Sequence, residues 1–325
     1  MKVGVVGCGG MGHVHAQSYA KMRDAELVGV CDLDAELAGE LAKKAGTRAF
    51  TSFEEMLEAV DPEVISIALP SYLHKEAVLK AAAAGRHVIC EKPVSLTLED
   101  TDEIIAACEL NGVRLFIGHV LRFFPEYEQL KRQVDSGVIG EPGVAHAKRV
   151  GGHPGEAKQW FKDETKSGGV IVDMMIHDID FMRWAFGEVK SVFAMNKVDN
   201  EMDYALVTLQ FQNGAAANLE AFWGYPGSFS YSAELAGSKG LIRLDSSTSA
   251  SLHTRAKVRT REERQFAEIP QSPGTRSPFE LELSHFLTCI REGEEPRVTV
   301  QDAREALRIS LAALESIRTG KVIYL

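Results

Sequence analysis

The chain has 325 residues, 45% of them hydrophobic, which is enough to bury a large core and more than one nucleotide-binding domain requires, so two domains are expected. A formal charge of -10 at pH 7, with no basic tail or lysine-rich block, argues against a nucleic-acid partner. No apolar run reaches the roughly 18 residues of a membrane span, and the first residues already read as a strand with no room for a signal peptide, so a cytoplasmic protein is expected.

Lys2 to Val6 form an apolar run, Gly7-Cys8-Gly9-Gly10-Met11-Gly12 carries the spacing G-x-G-x-x-G, and Ala16, Tyr19, Ala20 and Met22 follow on a periodic face. Strand, glycine turn and helix in that order are the opening of a dinucleotide-binding domain. Gly7 permits the tight turn, Gly9 lets backbone approach a pyrophosphate, and Gly12 lets the helix pack close to the strand. The second strand, Leu27 to Cys31, ends at Asp32, where a carboxylate accepts the hydroxyls of an adenosine ribose and repels a 2′-phosphate. NAD is therefore expected, with NADP the less favoured alternative, reachable through a lysine such as Lys43.

Residues 34 to 45 read as a helix closed by Gly46, and Ser52 caps the next, with Glu55 at the third position of a capping box. Val64 to Leu69 and His87 to Cys90 are buried parallel strands, a helix from about 72 to 84 lies between them, and Arg114 to Gly118 is the last strand of a doubly wound parallel sheet. Beyond residue 120 the pattern changes. Helices at 125–137 and 170–186 accompany strands near 143–150, 189–197, 203–211, 214–223 and 229–236, and Asn213-Gly214 is a hairpin signal. An α+β domain with an open, mostly antiparallel sheet is expected over 121–325, after a Rossmann domain over 1–120. Residues 254 to 278 look like a polar surface excursion, and the closing helices near 279–292 and 302–318 are amphipathic, free to pack back on the first domain. Phe193, Leu206, Leu209 and Phe222 carry more apolar surface than one set of helices covers, which points to a homodimer or homotetramer with sheets face to face. The five cysteines, at 8, 31, 90, 108 and 289, suggest buried thiols, with neither disulfides nor a zinc site.

Ligands of an open parallel sheet bind at the carboxyl ends of its strands, where the Gly7 turn, Pro70 to His74 and Glu91-Lys92-Pro93 all fall. Pro93 restricts Lys92 to extended geometry, so this lysine is either an aimed cation or a solvated turn residue. His74 is either a cofactor contact or a structural donor to its loop. On the helix after Gly168-Gly169, Asp173, His177 and Asp180 recur at one-face spacing among apolar residues, which points to a cleft or to a salt-bridged face. A metal is disfavoured because no further ligand stands at recognisable spacing. Arg122, His153, Trp160, Tyr225 and His285 are polar or aromatic groups at loops or element ends, in reach of a substrate.

The glycine turn, the Glu91-Lys92-Pro93 triplet, Arg122-Phe123 and the Gly168-Gly169, Asp173, His177, Asp180 helix together resemble the glucose–fructose oxidoreductase / inositol 2-dehydrogenase / rhizopine catabolism (Gfo/Idh/MocA) family of NAD(P)-dependent oxidoreductases. The resemblance implies oxidation of a ring hydroxyl of a sugar or cyclitol, with Lys92, Asp173 and His177 at the reacting carbon and Asp180 on the far side of the histidine. It implies cofactor contacts from Gly7, Cys8, Gly9, Gly10, Met11, Gly12, Asp32, Pro70, His74, Glu91, Lys92 and Pro93. Substrate contacts are expected from Lys92, Arg122, His153, Trp160, Asp173, His177 and Tyr225. Either Lys92 or His177 can carry the substrate proton. Two other readings stand beside this one. A nucleotide-linked amino-sugar 3-dehydrogenase would set Lys148, Arg149, Lys158 and Lys162 against a diphosphate, and a non-catalytic NAD-binding sensor or scaffold would dock a partner on the open sheet.

Overall fold

The structure is a computed structural model describing residues 1–247 and 276–325, which divide into two compact units. The first runs Met1–Val120 and takes in the later described residues up to Gln301; the second runs from Leu121 to the described residue Ser247 and includes Asp302–Leu325. The expected polar excursion at 254–278 lies almost wholly outside the described residues.

The first unit begins β1 (Lys2–Val6), α1 (Gly10–Lys21), β2 (Glu26–Cys31), α2 (Ala35–Ala45), β3 (Arg48–Phe50), α3 (Phe53–Val60) and β4 (Val64–Ile67). It continues with a 3-10 turn at Ser71–Leu73, α4 (His74–Ala83), β5 (His87–Glu91), α5 (Leu98–Leu110) and β6 (Leu115–Gly118). The six strands are parallel in the order β3-β2-β1-β4-β5-β6, a doubly wound sheet whose order reverses beside β1. β4 and β6 are buried along their whole length, which is why they read as nearly continuous apolar runs, Ser66 being the polar exception in β4. The helix boundaries follow their expected signals. Ser52 Oγ accepts the N–H of Glu55 at 3.2 Å, and Gly46 closes α2 in the left-handed region at φ 71°.

The second unit holds α6 (Pro125–Asp135), β7 (Pro142–Gly151), α7 (Glu164–Ser167), a π-helical turn at Ile171–Met175 and α8 (Ile176–Phe186). These are followed by β8 (Val189–Val198), β9 (Asp203–Phe211), β10 (Ala216–Trp223), β11 (Ser230–Gly237) and β12 (Gly240–Asp245). The last helices are α9 (Pro278–Glu292) and α10 (Val300–Thr319), and Ile323–Tyr324 forms β13. The seven-stranded sheet runs β12-β11-β7-β10-β9-β8-β13, antiparallel except for the β7–β10 pair. The Asn213-Gly214 hairpin joins β9 to β10 with Gln210 opposite Ala216. β12 and β13 carry no signal strong enough to read from sequence, the second being two residues that add to the sheet edge through Ile323 and Val192. Burial alternates strictly along β9 and β10, and the π turn and α8 lie on the buried side against β10. Leu209 is fully buried on that side, so it is not part of the outward face. Phe193, 37% exposed, and Met195, 54% exposed, do point outward.

α9 packs against α1 and β5, inside the first unit. Its His285 therefore serves that unit as a structural acceptor. Nε2 takes the N–H of Arg297 at 2.9 Å, which replaces the expectation of a substrate contact.

Candidate functional site

The glycine turn is built by steric exclusion. Gly7 has φ 96°, and a Cβ there would lie 2.5 Å from the Ala68 carbonyl oxygen; at Gly12 it would lie 1.9 Å from the Gly7 carbonyl oxygen. Helix α1 starts at Gly9 with no side-chain cap among the described residues and no acid in its first turn. By contrast α2, α3, α5 and α9 are capped by Asp34, Ser52, Thr97 and Ser277. A helix N-terminus left with its amides open beside a glycine turn fits a diphosphate. The two oxygens of Asp32 accept from Cys8 N–H at 2.7 Å and Asp34 N–H at 3.0 Å, so the carboxylate is fixed while lone pairs remain for ribose hydroxyls. The Cys8 amide is thus committed to Asp32, and its thiol is buried and pushed up to about 12 by burial and by Asp32, so Cys8 shapes the turn from within.

At the end of β5 the Lys92–Pro93 peptide is cis, and Lys92 is the one partly exposed residue among the buried stretch 88–95. His74 is a loop clamp: it is 1% exposed, with Nδ1 2.8 Å from the Pro93 carbonyl oxygen and Nε2 2.9 Å from that of Leu69. The ring thus lies between the carbonyls of the Pro70 and Pro93 loops, which supports the structural reading. Glu91 is also buried, its Oε1 3.0 Å from His15 Nε2, and His15 Nδ1 is 2.8 Å from Ser66 Oγ, which accepts from Tyr19 O–H at 3.1 Å. Burial opposes ionisation of Glu91, but the His15 hydrogen bond and the charges of His15, Lys92 and His74 hold its carboxyl below the usual carboxylate value. His15, Ser66 and Tyr19 were not singled out in the sequence. Only the fold brings together a helix and two strands whose polar residues lie 51 and 76 positions apart.

In the second unit, Gly168 and Gly169 have φ 75° and 68°, and Asp203 Oδ2 accepts the Val170 N–H at 2.7 Å, pinning the start of the π turn. Burial holds the Asp203 carboxyl above its ordinary value, against that hydrogen bond. From 169 to 182 only Asp173 and His177 escape full burial. Asp180, expected on the same face, is buried. It is 1% exposed, and its oxygens accept from Arg122 Nε at 2.9 Å and Nη2 at 2.6 Å. Arg122 is itself 2% exposed and donates from Nη1 to Asp302 at 3.1 Å, so its expected substrate contact is corrected to a structural bridge from α8 to α10. Arg149 is likewise buried, forked on Asp178 at 2.8 and 2.9 Å, and cannot receive a diphosphate; Lys148 stands 3.3 Å from Glu220. An arginine at a loop or strand looks the same in sequence whether its carboxylate partner is a substrate or a distant residue of the chain.

The parallel strands β7 and β10 end together, with Gly151 paired to Trp223 and its carbonyl accepting from Gly224 and Tyr225 N–H at 3.0 Å. Their two exits bring an aromatic cluster together. The His153 ring lies 5.4 Å from that of Trp223, Phe161 meets Trp223 edge-on at 5.7 Å, and Trp160 stacks on Phe161 at 3.8 Å. Tyr225 packs against Phe222 at 5.8 Å, with the Lys148 ammonium 5.8 Å from its ring centre. His153 Nδ1 accepts the Gly155 N–H at 2.9 Å, which fixes the tautomer with the proton on Nε2. Phe161 and Trp223 complete this cluster and carried no signal beyond their aromatic character.

Comparison with known proteins agrees with this architecture. Residues 1–119 match the model of the oxidoreductase family, NAD-binding Rossmann fold, and residues 131–325 match the model of the same family's C-terminal alpha/beta domain. The chain is 31% identical to myo-inositol 2-dehydrogenase of Thermotoga maritima over 100% of its own length and 98% of that protein. It is 30% identical to scyllo-inositol 2-dehydrogenase (NAD(+)) of Bacillus subtilis, covering 100% of the chain and 96% of the relative. Among solved structures, the WlbA dehydrogenase from Bordetella pertussis in complex with NADH and UDP-GlcNAcA aligns with a TM-score of 0.85 at 26% identity, over 100% of this chain and 97% of that one. With both of its domains matched, the chain belongs to the Gfo/Idh/MocA oxidoreductase family, and its first unit is an NAD-binding Rossmann domain.

Proposed function

We propose that the protein is an NAD-dependent dehydrogenase that oxidises a secondary ring hydroxyl of a free sugar or cyclitol to the ketone. The observation that carries this reading is the pattern of exposure: Lys92 in its buried stretch, and Asp173 and His177 in theirs, are the polar groups left partly open. The inositol dehydrogenases to which the chain is 31% and 30% identical support the substrate class. NAD held there would supply the acceptor for the hydride of the alcohol carbon. His177 takes the hydroxyl proton as that hydride leaves, Lys92 stabilises the developing alkoxide, and Asp173 hydrogen-bonds the substrate and steadies the ammonium. Asp32 binds the adenosine ribose, and the Gly7–Gly12 turn, Pro70, Glu91 and Pro93 line the cofactor's path. His153, Trp160 and Tyr225 face the substrate ring. The protein acts in the cytoplasm, where its five free thiols persist. It pairs as a homodimer or homotetramer through the outward sheet face, where Val144, Phe193, Met195 and Leu241 are exposed.

The test is NAD reduction followed at 340 nm against inositols, hexoses, pentoses and their lactones, in both directions, with and without free uridine diphosphate as competitor. Turnover of a free polyol, insensitive to the diphosphate, is expected. Failure across the panel, or activity only on nucleotide-linked sugars, contradicts the reading.

A further inference from the structure

We propose that His13 is the positioning residue of the glycine turn, the side chain that aims the Gly9 and Gly10 amides at the diphosphate of NAD. The inference rests on NAD binding by the first unit and is independent of the substrate proposed above. His13 lies in the first turn of α1, and its Nδ1 is 3.1 Å from the carbonyl oxygens of both Cys8 and Gly9. Carbonyl oxygens only accept, so the proton is on Nδ1 and one N–H is shared between the two. Nε2 is buried and has no hydrogen-bond partner among the described residues, so Nδ1 alone ties the ring to the turn. The Gly9 carbonyl also takes the backbone N–H of His13 at 3.0 Å, using its second lone pair.

A trans peptide is planar, with its C=O and N–H directed to opposite sides. Fixing the Cys8 carbonyl therefore fixes the direction of the Gly9 N–H, and fixing the Gly9 carbonyl does the same for the Gly10 N–H. Neither amide has a partner among the described residues. The preceding plane is set from elsewhere, since the Cys8 N–H donates to Asp32 Oδ2 at 2.7 Å. Asp32 and His13 thus orient three successive peptide planes, those joining Gly7 to Cys8, Cys8 to Gly9 and Gly9 to Gly10. The last of these most needs an external hold. It is flanked by two glycines, whose backbones turn with little steric limit, and a Cβ at Gly10 would meet nothing within 4 Å. Two donors already aimed at an anion bind it without the entropic cost of ordering them.

The test needs no substrate, so it can fail independently of the proposed activity. It compares ADP-ribose with adenosine, which share adenine and ribose and differ in the diphosphate, by calorimetry and ligand-observed NMR on the full chain. His13→Leu removes the donor and keeps a bulky side chain on the helix. It is expected to weaken ADP-ribose by about fivefold or more, the scale of one lost hydrogen bond, and to leave adenosine within about twofold of wild type. His13→Asn is expected to bind ADP-ribose about threefold or more tighter than His13→Leu. An asparagine amide reaches a carbonyl four residues back, as Asn111 Nδ2 does to Ala107 at 2.8 Å. His13→Ala takes the place of the leucine variant if that one fails to fold. Parallel loss of ADP-ribose and adenosine would mean that the ring only packs the helix. A smaller loss of ADP-ribose would mean that the turn aims itself, and an asparagine variant no better than leucine would remove the donor from the account. Any of these three results overturns the proposal.

Discussion

Gly10 and Gly12 lie two residues apart in one turn and face opposite constraints. A Cβ at Gly10 meets nothing within 4 Å, whereas at Gly12 it meets the Gly7 carbonyl oxygen at 1.9 Å. Gly10→Ala should therefore leave stability unchanged or raise it by about 0.4–1 kcal/mol, while Gly12→Ala should lower the urea midpoint and abolish measurable NAD affinity together. Equal behaviour of the two variants would contradict the turn geometry. Asp32→Ser should weaken NAD and narrow its advantage over NADP, each lost ribose hydrogen bond being worth about 1–3 kcal/mol, as Michaelis constants for both cofactors would show. Unchanged constants would remove Asp32 from the ribose. These residues were legible because a glycine spacing and a carboxylate at a strand end carry their geometry locally. Arg122 and Arg149 were not, because the carboxylates that claim them stand 58 and 29 residues away. Arg149→Ala should cost about 3–5 kcal/mol in denaturant unfolding, since Asp178 is then buried without its partner. A loss below about 1 kcal/mol would mean the pair is solvated.

At the scale of elements, caps and hairpins announced themselves while backbone irregularities did not. The Ser52 cap, the Gly46 stop and the Asn213-Gly214 turn are local chemistry, and each stands where its residues placed it. The spacing of residues 170–186 predicts a continuous helix, yet its first segment is a π turn, and Arg122 claims the buried Asp180. The spacing of one helix does not carry the distant guanidinium that forks onto its carboxylate. Three histidines fasten turns to elements by accepting backbone N–H groups: His87 from Arg114, His153 from Gly155 and His285 from Arg297. In each, burial pulls the pKa below its ordinary value, with Arg114, Lys162 and Arg297 adding to the shift. A lowered folded pKa means the unfolded chain takes the proton first. The stability these groups contribute is therefore complete above about pH 6.5 and is lost as pH falls below it. Denaturant midpoints should fall between pH 7.5 and pH 5.5. His153→Asn, whose side-chain oxygen can still accept from Gly155, should lose less over that interval than wild type. An identical fall in both would show that His153 does not contribute.

For the whole molecule, two domains and their classes follow from a change of period, from alternating strand and helix before residue 120 to strands joined by hairpins after it. Alternating burial in β9 and β10 assigns the outward face, which hydrophobic content alone had not done, and it places Leu209 inward. If that face pairs copies of the chain, light scattering at micromolar protein should give a multiple of 35.6 kDa, and Met195→Glu should lower it. A monomeric mass for the unaltered protein would defeat the pairing. The central claim is that a polyol is oxidised with Lys92 as the cation and His177 as the proton acceptor. Its most direct test is log kcat against pH for wild type, Lys92→Ala and His177→Ala, on a turned-over alcohol deuterated at the reacting carbon so that hydride transfer can be seen to limit the rate. The account predicts a wild-type limb near neutral pH that disappears in His177→Ala together with a loss of about 10²–10⁴ in rate, and a fall in kcat in Lys92→Ala that exceeds its effect on cofactor affinity. A limb that survives His177→Ala and vanishes in Lys92→Ala would give the proton to the lysine, and near-normal turnover in both variants would contradict the site itself.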